Sequence, residues 1–394
     1  MPPKKIAAVV TEYRKTSHAD VILRNLLDGY PDGNSRPEVQ LVSLFTDQVP
    51  KNDMSRDLAK KHGFKIADTI ADALTLGTDS LAVDGVLSIG EHGTYPHNDK
   101  GQHLYPRRRF FEEIAKVFEK TGKSVPVFND KHLAATWDDA KWMYDRANKQ
   151  MVPFLAGSSV PVTWRKPELV LPKGCELIGA MQIGYGPFEA YGFHALEGLQ
   201  CMVERRKLTD KLPQQGVTAV TCHSGKAMWD ALDRQPWAAP LLDATSKLVT
   251  NHAAGDVRAV TSKAKEAGVF EIEYRDGFRA FVAMLNGWVH EFDGGGFIFA
   301  GQLKGQEKPA VCQFYLQGSE PFAHFAALTK AIDSMMRTGH APYPVERTLL
   351  TTGMLDALMA SKFEGGKRVE TPHLDIKYSP SEWGPAKGEI PGKK

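Results

Sequence analysis

A helix predicted to begin near residue 187 carries a histidine and a carboxylate whose spacing permits acid–base chemistry. Pro187 follows Gly186, and proline is favoured at the first position of a helix. His194 and Glu197 are three residues apart, so on a helix their side chains share one face. Such a pair can act as an oriented general acid and base or as two metal ligands. A core histidine paired with its own helix neighbour is the structural alternative.

Four clusters of polar side chains upstream of this helix each follow a predicted buried strand. Parallel α/β sheets bind their ligands beyond the carboxyl ends of the strands, so all four clusters should meet at one edge of a sheet. Lysine, histidine and carboxylate side chains in one cleft can donate and accept protons. The clusters are Thr11 to Arg14, Asp47, Glu91 with His92, and Asp130 with Lys131 and His132.

The elements that must position these residues alternate between strand and helix over the first half of the chain. Short apolar runs predict strands, and segments with helical periodicity separate them. Alternation of this kind predicts a doubly wound parallel sheet. The predicted strands are 6–10, 39–45, 83–89, 125–128 and 152–156, and the helices are 18–27, 55–61, 69–76, 110–119 and 137–149.

The pattern changes after about residue 164, where longer segments of alternating polarity are separated by turn signals. These segments predict a mostly antiparallel sheet. They are 216–222, 269–274, 279–284, 296–300 and 310–315, followed by helices at 324–336 and 345–361. The predicted fold class is therefore α/β plus α+β, with a Rossmann-like domain over 1–163 and an open-sheet domain with helices over 164–394. The last residues, 379–394, are predicted to form a loose or draped tail.

Composition excludes several classes of function. A net charge of +2 over 394 residues gives no footprint for nucleic acid or for a membrane surface. Four scattered cysteines, without a CxxC pair, argue against a zinc finger or a disulfide framework and favour a reducing compartment. No apolar segment precedes the first strand, and none is long enough to span a bilayer. The expectation is a cytoplasmic protein, with a removed leader as the alternative.

The order of elements and two local motifs resemble the glucose–fructose oxidoreductase/inositol dehydrogenase (Gfo/Idh/MocA) family. The family's Glu-Lys-Pro motif after the fifth strand corresponds to Asp130-Lys131-His132, and its Asp-x-Gly-x-His-x-x-Asp helix corresponds to residues 190–197. Residues 344–350 are similar to a late segment of the family. The resemblance implies an enzyme that uses NAD or NADP to oxidise or reduce a sugar, polyol or related hydroxy compound.

The resemblance also implies roles for individual residues. Lys131 and His194 would flank the nicotinamide and the reacting carbinol, as orienting group and acid–base group. Glu197 would orient His194. Glu91 and His92 occupy the loop that lies under the nicotinamide in the family, and they add a carboxylate and an imidazole to the catalytic set. The open sheet of the second domain resembles the family's subunit interface, which predicts a homo-oligomer.

The first turn departs from the family because residues 11–18 contain no glycine. Glycines normally let the backbone approach the pyrophosphate of a dinucleotide, and Glu12 adds a negative charge there. Arg14 could offset this by pairing with a phosphate, and Asp47 is placed for a ribose hydroxyl. With Thr11 in the turn, and with Glu91 and Lys131 at neighbouring strand ends, these residues form the candidate cofactor contacts.

Two alternatives remain open from the sequence. In the first, a non-redox enzyme uses the same cleft for proton abstraction, elimination, isomerisation or hydrolysis on a carbohydrate-like substrate. Such an enzyme could hold Zn²⁺, Mn²⁺ or Fe²⁺, because the cleft offers imidazole and carboxylate ligands. In the second, a scaffold protein has kept the fold and lost its chemistry. The candidate metal ligands are His92, Asp130, His132, His194 and Glu197.

Overall fold

A computed structural model describes residues 2–33, 35–207, 215–291 and 293–392. The last two residues of the predicted tail, Lys393 and Lys394, lie outside this range. A six-stranded sheet comes first, in the order β3-β2-β1-β4-β5-β6, and every neighbouring pair of its strands is parallel. The predicted doubly wound sheet is therefore confirmed. Its elements are β1 (Lys4–Val10), α1 (His18–Leu27), β2 (Val39–Thr46), α2 (Ser55–His62), β3 (Lys65–Ala67), α3 (Ile70–Thr75), β4 (Gly85–Ile89), α4 (Arg107–Thr121), β5 (Val127–Asp130), α5 (Trp137–Lys149) and β6 (Phe154–Gly157).

The sheet forms because its central strands bury apolar side chains on both faces. In β1, Ile6, Ala8 and Val10 pack into one core with α1 and with apolar residues of a later helix, between 328 and 336. Ala7 and Val9 point the other way, into the core that holds α3 and α4. A strand that is apolar on both faces must lie inside a sheet covered by helices. The carboxyl ends of β1, β4 and β5 consequently meet at one edge.

The second half forms an eight-stranded sheet in the order β14-β9-β10-β11-β8-β12-β13-β7. Its neighbouring strands are antiparallel except for β8 and β11, which run parallel. The predicted mostly antiparallel sheet is confirmed. The elements are β7 (Arg165–Lys166), β8 (Leu177–Gly184), α6 (Ala190–Val203), β9 (Val217–Ser224), α7 (Lys226–Asp233), α8 (Ala238–Ser246), α9 (Val257–Thr261), β10 (Gly268–Tyr274), β11 (Arg279–Met284), β12 (Ile298–Leu303), β13 (Ala310–Phe314), α10 (Ala323–Thr338), α11 (Glu346–Phe363) and β14 (Val369–Glu370).

Both faces of this second sheet are covered by helices of the same chain. Ala180 and Val282 point toward α6 and α11, whereas Met181 and Phe281 point to the opposite face. On that opposite face Trp229 of α7, together with α8, completes a separate apolar core. The expected subunit interface was assigned to the open sheet of this half, without a choice of face. On this face α7 and α8 cover the strands, and neither helix was predicted.

The carboxyl-terminal tail is fastened to the body rather than loose. The backbone N–H of Ala386 donates to the carbonyl of Val162, and the indole of Trp164 donates to the carbonyl of Lys387. Ile390 is buried against the same surface. Proline and glycine in the tail prevent a helix or strand but do not prevent burial of its few apolar side chains. Within the described part of the chain, no helix has both the length and the apolar character to cross a membrane.

Candidate active site

A cavity of about 490 Å³ lies where the carboxyl edge of the parallel sheet meets α6, the segment just before β12 and the start of α10. Side chains from both halves of the chain line it. Among them are four histidines, a lysine, two glutamates and several aromatic rings, which is an unusual density of groups able to move protons. The principal lining residues are His18, Glu91, His92, Lys131, Tyr185, Tyr191, His194, Glu291, Phe297, Phe322, His324 and Phe325.

Backbone strain is concentrated around this cavity. In the described part of the chain, six residues other than glycine have φ between +52° and +71°. Left-handed backbone is unfavourable for side chains with a Cβ, and it persists where the surrounding structure requires it, commonly at functional sites. Four of the six line the cavity, namely Thr16, His92, Lys131 and Phe322. The left-handed residues and the titratable side chains therefore lie around the same cavity.

Lys131 is held in the cavity by an ion pair with Glu91. Its Nζ lies 3.1 Å from Glu91 Oε1, and both side chains are almost completely buried. Arg107 donates to the other oxygen of the same carboxylate. Burial opposes ionisation of Glu91, but the charges of Lys131 and Arg107 outweigh it, and its pKa lies well below the ordinary value. Glu91 is therefore an ionised anchor that positions Lys131.

Arg107 begins a run of three arginines, a pattern typical of a solvated helix start, yet it is buried. Its side chain is 0% exposed. Besides Glu91, it contacts His132, whose Nε2 lies 3.0 Å from Arg107 Nη1. Glu189 Oε1 is 3.1 Å from the same imidazole nitrogen. Burial, reinforced by Arg107, lowers the pKa of His132. His132 is therefore part of the wall behind the cavity.

His194 enters the cavity from α6, and Ser158 orients it. Ser158 Oγ lies 2.6 Å from Nδ1 of the imidazole and accepts the backbone N–H of Val160 at 3.1 Å. Burial, followed by the charge of Lys131, lowers the pKa of His194 well below its ordinary value. We therefore assign a neutral imidazole to His194. Its Nδ1 accepts a hydrogen bond from the Ser158 hydroxyl, and its own proton lies on Nε2.

Glu197 does not orient His194, contrary to the sequence prediction. It is buried behind the cavity wall, where its Oε1 accepts hydrogen bonds from Thr351 at 2.8 Å and Thr348 at 3.2 Å. Burial raises the pKa of this carboxyl. The close approach requires Gly157, which has φ +124° and whose added Cβ would lie 2.6 Å from Glu197 Oε2. Sharing a helix face brought the two residues near each other without bringing them into contact.

A pair that the sequence reasoning missed joins the first turn to β5. His18, the first residue of α1, has its Nδ1 2.6 Å from Asp130 Oδ2. The Asp130 side chain is 1% exposed and that of His18 is 14% exposed, because His18 lines the cavity. The only sequence signal was the position of His18 after the first turn, next to the predicted strand ends.

The candidate metal ligands are divided among separate partners. Asp130 pairs with His18, His132 contacts Arg107 and Glu189, His194 contacts Ser158, and Glu197 accepts from threonines. Across the residues that the structure describes, no three histidine, cysteine or acidic side chains are grouped as a metal-binding set. The predicted metal site therefore has no support in the arrangement of these residues.

The loop of residues 90–106, which we call the crossing loop, reaches from β4 to the end of β2. There Tyr95 donates its hydroxyl proton to Asp47 Oδ2 at 2.7 Å. Arg109, at the start of α4, pairs with Asp47 Oδ1 at 2.6 Å. Gln48 and Thr94 exchange two hydrogen bonds of 2.9 Å beside them. The carboxylate predicted to bind a ribose is therefore already engaged by protein groups.

The first turn is likewise filled by its own side chains. Arg14 pairs with the buried Glu12 at 2.5 Å and approaches His92 Nδ1 at 3.4 Å. The Thr11 hydroxyl donates to the carbonyl of Glu91. Just before α1, the backbone N–H of Thr16 donates to Asp20 Oδ2, in the first turn of that helix. A dinucleotide that bound beside the cavity would have to displace the protein groups that engage Asp47 and fill this turn.

His324 predicts a loss of stability in acid. It is buried in the cavity wall, and burial, with a contribution from His18, lowers its pKa to about 3. The unfolded chain therefore binds a proton that the folded chain does not, and stability falls as pH drops from about 6.5 towards 3. Between pH 7 and 5 the expected loss from this residue is about 2 kcal/mol. Urea unfolding of His324→Gln should show a pH dependence smaller by that amount, whereas the exposed His340→Gln should not.

Comparison with solved structures identifies the fold of this chain. No family model and no curated protein matches the chain. The structure of GenD2 from gentamicin A biosynthesis, in complex with NAD, is 15% identical, with a TM-score of 0.55 and coverage of 94% of this chain and 97% of that chain. Myo-inositol 2-dehydrogenase from Lactobacillus plantarum is 12% identical, with a TM-score of 0.57 and coverage of 93% and 99%.

A third solved structure extends the likeness. Aldose-aldose oxidoreductase from Caulobacter crescentus, complexed with glycerol, is 12% identical, with a TM-score of 0.51 and coverage of 93% and 99%. At such identities the likeness establishes the fold alone. The match extends over almost the whole chain, and the resemblance in fold to the Gfo/Idh/MocA family is confirmed.

Proposed function

We propose that this chain is an oxidoreductase that acts on a hydroxyl-bearing carbon of a sugar, polyol or related hydroxy compound, with NAD or NADP as the redox partner. The observation that carries the proposal is the convergence of Lys131 and His194, from the two halves of the chain, on one strained cavity. Proteins with the same fold include a structure in complex with NAD and dehydrogenases of polyols and aldoses.

The residues of the cavity can handle the oxygen of such a substrate. The ammonium group of Lys131 can donate a hydrogen bond to the reacting oxygen, and its ion pair with Glu91 fixes its position. His194, with its proton assigned to Nε2, can donate a hydrogen bond to the same oxygen. Ser158 holds the ring in that orientation. A cavity of about 490 Å³ suits a small polyhydroxy compound.

Dinucleotide binding requires the crossing loop to leave Asp47, and this is the test of the proposal. Tyr95→Phe removes the hydroxyl that occupies Asp47 Oδ2, so affinity for NAD⁺ or NADP⁺ should rise about tenfold, as expected for loss of one hydrogen bond to a charged group. Isothermal titration of wild type and variant measures the change.

The matched control is Tyr144→Phe. This variant also removes a tyrosine–carboxylate hydrogen bond, the one between Tyr144 and Glu346, and neither residue belongs to the crossing loop or contacts Asp47. It should leave dinucleotide affinity unchanged. If neither the wild type nor Tyr95→Phe binds either dinucleotide at millimolar concentration, the redox proposal fails.

A second candidate is favoured by one specific observation, the closure of the first turn and of Asp47 by protein side chains. The cavity would then perform proton transfer without a dinucleotide, in an isomerisation or elimination on a carbohydrate-like substrate. Incubation with keto sugars in D₂O, without NAD(P), separates the two. Exchange of a carbon-bound proton, seen by NMR, supports this candidate, and its absence together with dinucleotide-dependent turnover supports the first.

The predicted homo-oligomer remains a proposal. On one face of the second sheet α7 and α8 cover the strands, so a second copy would there contact the outer surface of these helices. Analytical ultracentrifugation of the full chain decides between a single copy and an assembly. The predicted cytoplasmic location likewise remains a proposal.

A further inference from the structure

The proposed function leaves the cavity without an evident base. Lys131 is paired with Glu91. Because His194 Nδ1 accepts a hydrogen bond from Ser158, the proton of His194 is assigned to Nε2. Oxidation of an alcohol, or enolisation of a ketone, requires a group that accepts a proton. His18 lines the same cavity and has the properties that such a base needs.

The position of His18 is fixed from several sides. Its Nδ1 lies 2.6 Å from Asp130 Oδ2, on a strand end that pairs with Gly157 of β6. The rings of His92 and Phe325 each pack edge-on against the imidazole, with centroids 5.3 Å away. An ionised carboxylate can only accept a hydrogen bond, so Nδ1 carries the proton of the neutral ring and Nε2 keeps its lone pair.

We propose that His18 is a catalytic base of this cavity and that Asp130 is its positioning residue. His18 Nε2 accepts the proton of a substrate hydroxyl, and the electron pair of the broken O–H bond stays on that oxygen. The imidazolium that forms is stabilised by the Asp130 carboxylate, as in other oriented histidine–aspartate pairs. The inference rests on the proposed function in that the cavity is the substrate site.

Two histidines with opposite tautomers then face one cavity. His18 accepts a proton through Nε2, and His194 presents an N–H. A substrate with hydroxyl groups on neighbouring carbons, such as a cyclic polyol or a sugar ring, offers one oxygen to each. The glycine-free first turn leads to His18 and places its imidazole at the carboxyl edge of the sheet, the edge at which Rossmann-type folds bind a pyrophosphate.

NMR of the full chain labelled with ¹⁵N-histidine tests the tautomer without substrate or dinucleotide. The proton between His18 Nδ1 and Asp130 should give a low-field signal that couples to Nδ1, and the signal should be absent in His18→Gln. His223 is the internal control, because it is equally exposed and contacts Glu271 through Nε2 at 2.9 Å. Its proton should lie on Nε2. A His18 ring that is doubly protonated, or protonated on Nε2, overturns the proposal.

Asp130→Asn tests the positioning role and should abolish the low-field His18 proton, because a neutral amide is a weaker acceptor than a carboxylate. An unchanged signal overturns that role. Diethyl pyrocarbonate, mapped by mass spectrometry on the wild type, needs no variant and modifies an accessible imidazole nitrogen that carries no proton. His18 should be modified at Nε2 at a rate comparable to that of the equally exposed His223, and failure of His18 to react overturns the proposal. Failure of dinucleotide binding would leave these results unchanged, so the two hypotheses fail separately.

Discussion

Replacement of Lys131 with methionine is expected to lower kcat by about 10²–10⁴-fold while the chain stays folded. Methionine keeps the length of the side chain and removes its charge from a buried position in the cavity. Glu91 keeps its pairing with the fully buried Arg107, so no uncompensated carboxylate is created. Steady-state kinetics measures the effect, with the sugar or polyol that a screen with NAD⁺ and NADP⁺ identifies for the wild type.

Lys141→Met is the matched control for this substitution. Lys141 is exposed on α5 and pairs with Asp145 one helical turn away, so its loss should change kcat by less than twofold. If Lys131→Met retains turnover within threefold of the wild type, Lys131 does not contact the reacting oxygen.

Replacement of Arg347 with methionine should reduce the free energy of unfolding by about 3–5 kcal/mol. Arg347 lies on α11 and makes a two-pronged contact with Glu204, through hydrogen bonds of 2.8 and 2.5 Å. Both side chains are more than nine-tenths buried. Among the described residues, the variant leaves the buried Glu204 carboxylate with one side-chain donor, the Tyr378 hydroxyl at 3.0 Å. Urea unfolding followed by circular dichroism measures the loss.

Two further variants identify the cause of that loss. Arg347→Met with Glu204→Gln removes both charges and should recover more than half of the lost stability. Lys226→Met breaks an exposed ion pair with Asp230 and should cost less than about 1 kcal/mol. A loss below 1 kcal/mol in Arg347→Met itself would show that water or another cation reaches Glu204.

Local patterns were enough to predict the Rossmann-like half. The predicted helix 137–149 coincides with α5 (Trp137–Lys149), because Thr136 caps its first turn and aspartates follow at once. The strands of this half are short apolar runs, which need no distant information. The placement of Lys131 and His194 at one site followed from strand ends and from the family resemblance, since ligand position is a property of the topology.

Interactions between distant segments could not be predicted in the same way. Ser158 orients His194 across 36 residues, and nothing near either residue indicates the pairing. Arg107 belongs to a basic run that is usually solvated, and its burial depends on Glu91 and on His132. Helices α7 and α8 were missed because their apolar residues pack against the far face of the second sheet, and the local sequence does not indicate that partner.

The covering of that face by α7 and α8 changes how the protein responds to dilution. In an assembly, an apolar sheet face is buried by mass action, and its protection weakens as the protein concentration falls. Here Trp229, Leu241 and their neighbours belong to the same polypeptide as the strands they cover. Their effective concentration is set by the connecting chain, not by the solution. The second sheet should therefore keep this face dry at nanomolar concentrations, where an intersubunit contact of ordinary affinity would have dissociated.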